Sequence, residues 1–146
     1  PAGIERGFKN AIAPADEVIV ITNPEVSAVR DADRIIGIVE AEEKGSPRLL
    51  INRLNPEMVR QNNMLSAEDV IDLLAIELLG IVPEDKNVII STNQGIPVSL
   101  DGKTMAGAAY QNISRRLLGE DVPLLDLEKT SGIFNRISSV FGSGEK

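Results

Sequence analysis

The sequence has no cysteine, which excludes disulfides, thiol nucleophiles and Cys-ligated zinc. It has no histidine either, so Ser-His and Cys-His catalysis and the commonest metal ligands are absent. Any chemistry must rest on carboxylates, Lys or Arg, backbone amides or a bound cofactor, and no metal site is expected within the chain. Basic residues are outnumbered: 15 Lys and Arg against 22 Asp and Glu give a net charge of −7. That balance argues against broad contact with nucleic acid, which requires a basic face to displace counterions. No apolar run approaches the roughly 20 residues needed to span a bilayer, and no secretory signal is recognisable. The expected compartment is a reducing cytoplasm or a plastid stroma.

Hydrophobic residues make up 42% of the 146, enough for one packed domain. Short apolar runs alternate with helical periodicity, the pattern of an α/β domain with a mostly parallel sheet. Gly3 to Ala13 reads as a helix stopped near Pro14. Glu17-Val-Ile-Val-Ile21 reads as a strand buried on both faces. Asn23-Pro24-Glu25 carries a helix-start signature, with Asn as cap and Pro in the first turn. The helix that follows places Val29, Ala32, Ile36 and Val39 on one stripe. Leu49-Leu50-Ile51 is the next strand, and a polar stretch from Asn55 to Asn63 leads to the capping box Ser66-Ala-Glu-Asp69. Val70, Ile71, Leu74 and Leu78 predict one face of a helix ending at Gly80. Ile81-Val82 then forms a short strand before Pro83-Glu84-Asp85, and Val88-Ile89-Ile90 suits either a strand or a helical turn. Lys103 to Leu118 predicts a helix with Ala106, Ala109, Tyr110, Ile113 and Leu117 on one stripe.

After Pro123 the chain reads as a linker, giving a domain over 1–121, a linker over 122–131 and an amphipathic helix over 132–142. Two of the three Phe residues, Phe134 and Phe141, lie in this tail. At about 100° per residue, Ile133, Phe134, Ile137, Val140 and Phe141 share an arc of roughly 120°. The stripe either packs on the domain or docks on a membrane, and its shortness, aromatic content and separation from the domain favour the membrane. Burying five such side chains contributes on the order of 5–8 kcal/mol gross. Ordering about ten backbone residues at roughly 1 kcal/mol each consumes most or all of that, less what hydrogen bonds at the interface recover. Residues 128–146 carry three basic and two acidic side chains, so attraction to an anionic surface is small. One copy should bind weakly and two copies on one dimer far better.

Several segments, taken in order, point to one family: Pro1-Ala-Gly-Ile-Glu5, Thr22-Asn-Pro-Glu-Val-Ser-Ala-Val-Arg-Asp31, Asn52-Arg53-Leu-Asn55, Met64-Leu-Ser-Ala-Glu-Asp-Val70, Gly80-Ile-Val-Pro-Glu-Asp85 and Ser91-Thr-Asn-Gln-Gly-Ile-Pro97. Together they resemble the MinD family of deviant P-loop ATPases, a branch of the ParA/MinD group. The first segment is similar to the family's Asp-x-Pro-Ala-Gly-Ile-Glu without its Asp, and the resemblance covers essentially the whole chain. It implies the C-terminal part of a three-layer α/β/α P-loop NTPase fold plus a membrane-targeting helix. The chain opens at Pro1 without an initiator Met and is expected to be a fragment lacking the Walker A loop, so no catalytic residue is assigned within it.

The resemblance further implies a septum-positioning ATPase that forms a homodimer with ATP and Mg²⁺. Such a protein recruits the division inhibitor MinC, is released from an anionic membrane surface through the stimulatory partner MinE, and binds no nucleic acid. It would sit peripherally on the inner face of the cell membrane, or on the inner membrane of a plastid. Residue by residue, Gly3 falls at the switch II position where a backbone N–H approaches the γ-phosphate, or is an ordinary turn glycine. Glu25 matches a residue that reaches ribose across the dimer, or simply opposes the helix dipole. Asn52 can satisfy donor and acceptor on adenine, or ends a strand, and Arg53 stacks on or flanks the base. Pro83, Glu84 and Asp85 follow a strand at its carboxyl end, where open α/β sheets bind ligands, or form a plain turn. Ser27 and Asp31 fall on the helix the family uses for partner binding, or on a solvated helix face. Two rivals remain: a ParA-like partition ATPase that binds DNA, and a non-enzymatic membrane-attached α/β interaction module.

Overall fold

The computed structural model describes residues 6–100 and 102–127. Gly3 and the stripe residues Ile133, Phe134, Ile137, Val140 and Phe141 lie outside them. The elements run α1 (Arg6–Ile12), β1 (Ile19–Thr22), α2 (Val26–Ala41), β2 (Arg48–Leu54), α3 (Pro56–Arg60), α4 (Ala67–Leu74), β3 (Leu78–Pro83), α5 (Lys86–Asn93), a 3₁₀ turn (Val98–Leu100) and α6 (Met105–Leu117). The three strands are parallel in the order β1-β2-β3.

Alternation along β2 sorts the core into two layers. Leu49 and Ile51 point to one face and pack with Val20, with Val29, Ala32 and Ile36 of α2, and with Val70 and Leu74 of α4. Leu50 points to the other face and packs with Leu79, Val82 and the α6 residues Ala106, Ala109 and Ile113. Helices therefore cover both faces of β2. Gly80 makes the α6 layer possible, because a Cβ there would stand 2.5 Å from Ile113 Cγ1.

The Glu17–Ile21 run departs from expectation. The strand is Ile19–Thr22, and only Val20 and Thr22 are buried, while Ile21 is 62% exposed. Ile21 pairs with Leu50 in register, yet α6 packs on β3 and Leu50, and among the described residues no helix covers β1 on that side. A groove of about 1180 Å³ runs along this strand, lined by Phe8 and Ile12 of α1 and by Ala28, Asp31 and Ile35 of α2.

Local capping corrects other boundaries. Helix α2 begins one residue after the Asn-Pro-Glu signature, with Glu25 at the N-cap making no side-chain cap bond. Pro24 is instead fully buried outside the helix, and its carbonyl accepts from the Leu65 N–H at 3.3 Å. The helix predicted to end at Gly80 stops at Leu74, where Ala75 turns left-handed at φ 52. Leu78 is a strand residue, paired with Leu49; its spacing from Leu74 imitates a helical stripe. The capping box is present, with Ser66 Oγ accepting from the Asp69 N–H and Asp69 accepting from the Ser66 N–H. The polar stretch after Asn55 contains α3, and Val88-Ile89-Ile90 lies within helix α5. Leu117 of the α6 stripe is exposed rather than core.

The chain after α6 is held to the domain through residue 127. Arg116 donates from Nε to the Val122 carbonyl (2.7 Å), from Nη2 to Pro123 (2.7 Å) and from Nη1 to Leu79 (3.0 Å). Val122 is buried, Leu125 packs on the α6-side cluster, and Leu127 packs on the α2/α4 side. The first residues of the expected linker thus run as a strap across the sheet.

Candidate nucleotide site

Strands β2 and β3 end side by side, and their carboxyl ends open into a cavity of about 460 Å³. Its lining includes Asn52, Arg53, Pro83, Glu84 and Asp85, five residues singled out from the sequence, together with Lys86, Val88 and Tyr110. The parallel register brings them together: Asn52 pairs with Val82 and Leu54 with Pro83, with an irregularity between. Arg53 is the extra residue, at φ 58. A left-handed bulge of this kind re-aims a side chain at a strand end. Here it sends the Arg53 guanidinium across to Glu84.

The carboxylate of Glu84 is held from two sides. Arg53 Nη2 donates to its Oε1 (3.2 Å), and Asn55 Nδ2 donates to its Oε2 (3.0 Å). The hydrogen bond from Asn55, then that from Arg53, holds its pKa below the usual carboxylate value. Asn55 serves twice, since its side-chain oxygen also accepts from the Glu57 and Met58 N–H groups and so caps α3. Asp85 is committed as well. Its Oδ1 accepts from the Asn87 backbone and side chain (both 2.8 Å), capping α5, and its Oδ2 accepts from the Ala106 N–H of α6 (3.2 Å). One carboxylate thus sits at two helix N-termini, where the exposed N–H groups and the dipoles favour it. Both acids hold the walls of the cavity. Asn52 differs, because its amide makes no hydrogen bond among the described residues.

The α2 candidates stand apart from this cavity. Glu25, Ser27 and Asp31 are exposed on the solvent side of α2, and Asp31 borders the groove along β1. Sequence reasoning missed Asn55, whose Asn-Pro pair at a strand end is a legible cap, and it took Tyr110 only as part of a core stripe.

No family model matches the chain. The curated "Septum site-determining protein MinD" of Synechocystis sp. is 55% identical over 139 residues, covering 94% of this chain and 52% of the relative. In the MinC:MinD cell division protein complex of Aquifex aeolicus, one chain superposes with a TM-score of 0.81 at 46% identity, over 86% of this chain and 51% of that one. The chain belongs to the MinD family. Its helices on both faces of a parallel sheet are those of the MinD P-loop NTPase fold. The MinD of Pyrococcus horikoshii OT3, solved with Mg-ADP, is 25% identical, with a TM-score of 0.68 over 80% of this chain and 47% of that one. The chain therefore spans about half the length of the MinD relatives it matches.

Proposed function

We propose that this chain forms the nucleoside-binding end of the nucleotide site in a MinD-type ATPase that positions the division septum. The observation that carries this reading is the cavity at the ends of β2 and β3. It gathers the residues of two separate family-like segments, Asn52-Arg53 and Pro83-Glu84-Asp85, in a chain 55% identical to a septum site-determining protein. Asn52 offers a paired donor and acceptor to an adenine edge. Arg53 flanks the base, while Glu84 and Asp85 fix the pocket's shape.

Phosphate cradling and Mg²⁺ binding would come from a Walker A loop, which this sequence does not contain, with the Gly3 N–H near the γ-phosphate. In the whole protein ATP would bring two copies together, with Glu25 reaching the partner's ribose, and Ser27 and Asp31 would meet protein partners. MinC is the partner favoured by the Aquifex complex, and MinE is the expected stimulatory partner. The stripe Ile133, Phe134, Ile137, Val140 and Phe141 would dock the dimer reversibly on the inner face of the membrane. Among the described residues no helix is long and apolar enough to cross one.

Liposome co-sedimentation of the full-length protein, with and without ATP, tests this reading. Binding should require ATP, and both Asn52→Ala and Phe134→Asp should reduce it. Binding that ignores nucleotide, or survives Phe134→Asp, contradicts it. A salt-dependent DNA shift would favour the ParA-like partition reading instead, against which the net charge of −7 counts.

A further inference from the structure

We infer that Tyr110 contacts the nucleoside of the bound nucleotide through its phenol hydroxyl, an assignment that rests on the nucleotide-site reading above. Tyr110 is the sequence's one tyrosine. It lies one helical turn beyond Ala106 on α6, on the same side of the helix. Ala106 is tied to the cavity by its N–H bond to Asp85 Oδ2 (3.2 Å), so the register of α6 against the pocket is fixed. The Tyr110 ring packs against the α6-side core cluster and at the same time lines the cavity beside Val82 and Val88.

Packing explains the ring and leaves the hydroxyl unexplained. A phenylalanine would fill the same space, whereas a half-buried tyrosine ordinarily finds a partner for its O–H. Among the described residues the Tyr110 hydroxyl forms no hydrogen bond, and no buried side-chain polar atom of those residues lacks a partner. The hydroxyl is therefore not sealed in the core, and Tyr110 lines the proposed base pocket. With Glu84 and Asp85 both occupied by protein groups, Asn52 and the Tyr110 hydroxyl are polar groups of this wall left for a ligand. A phenol both donates and accepts, so it suits a ring nitrogen or a ribose hydroxyl.

The test uses the full-length protein and measures affinity for ADP and for pyrophosphate, which lacks the nucleoside. Tyr110→Phe removes the hydroxyl and keeps the ring, and should weaken ADP binding about 3- to 10-fold, the worth of one hydrogen bond. Its pyrophosphate affinity and its nucleotide-free melting midpoint should match wild type. Asn52→Ala serves as the reference for the pocket itself. ADP affinity within twofold of wild type in Tyr110→Phe, while Asn52→Ala weakens it, overturns the assignment and leaves the pocket intact. Equal losses for ADP and pyrophosphate also overturn it, since they mark a structural lesion. If neither variant changes ADP affinity, the base-pocket reading falls and this inference with it.

Discussion

Replacing Gly80 by alanine should destabilise the protein, although glycine in a strand is ordinarily a weakness. Gly80 does not have a positive φ, so alanine meets no backbone barrier, and fixing the unfolded chain alone would gain about 0.4–1 kcal/mol. The space around it reverses the sign. The new Cβ would stand 2.5 Å from Ile113 Cγ1, 3.0 Å from its Cδ1 and 3.3 Å from Arg116 Nη1. Ile113 is β-branched and only 5% exposed, so it cannot swing away, and α6 must lift off β3. Overpacking of this kind costs about 1–3 kcal/mol, leaving a net loss of about 1–2 kcal/mol after the entropic gain. In a protein of more than 150 residues that lowers the melting midpoint by about 2–8 °C. Gly37 is the control: it lies within α2, and a Cβ there meets nothing within 4 Å. Gly37→Ala should raise stability by about 0.5–1 kcal/mol through helix propensity. Thermal unfolding of the full-length protein compares the two. Shifts of the same sign, or no loss in Gly80→Ala, would refute the argument that close approach of α6 to β3 requires this glycine.

Two further outcomes follow from the same structure. The Glu84 pKa is held below its usual 4.5 by Asn55 first and Arg53 second, so the contribution of this latch is complete above that value and is lost as pH falls through the lowered one. An NMR titration should show the Glu84 pKa rising in both Asn55→Ala and Arg53→Ala; no rise in either variant contradicts the two-sided grip. Arg116→Ala removes the two hydrogen bonds to the strap, at Val122 and Pro123, together with the one that ties Arg116 to Leu79 of β3, and limited proteolysis should then cut around residues 120–127 faster than in wild type, with no change in cutting counting against the clamp.

The central layer was legible because β2 is a run of three aliphatics flanked by polar residues, and burial on both faces leaves no other pattern. The α2 stripe and the Ser66 capping box were legible for similar reasons, each being set within a few residues. What failed depends on distance along the chain. Leu78 sits four residues after Leu74, and nothing local announces that Ala75 turns left-handed between them. Its pairing with Leu49 decides the matter, and that pairing is invisible to periodicity. The exposure of Ile21 likewise depends on what covers that face of β1, and among the described residues no helix does. At the site, Asn52, Arg53 and Pro83 to Asp85 were legible through resemblance. The bulge at Arg53, the twofold grip on Glu84 and the reach of Asp85 to Ala106 are tertiary and have no sequence signature.

Photolabelling the full-length protein with 8-azido-ATP, followed by peptide mapping, addresses the nucleotide site most directly. Covalent label should appear on peptides containing Asn52 and Arg53, Pro83 to Ile89, or Tyr110, and excess ATP should suppress it. Competed label confined to other peptides would show that the base binds elsewhere and that the cavity at the ends of β2 and β3 is not its pocket.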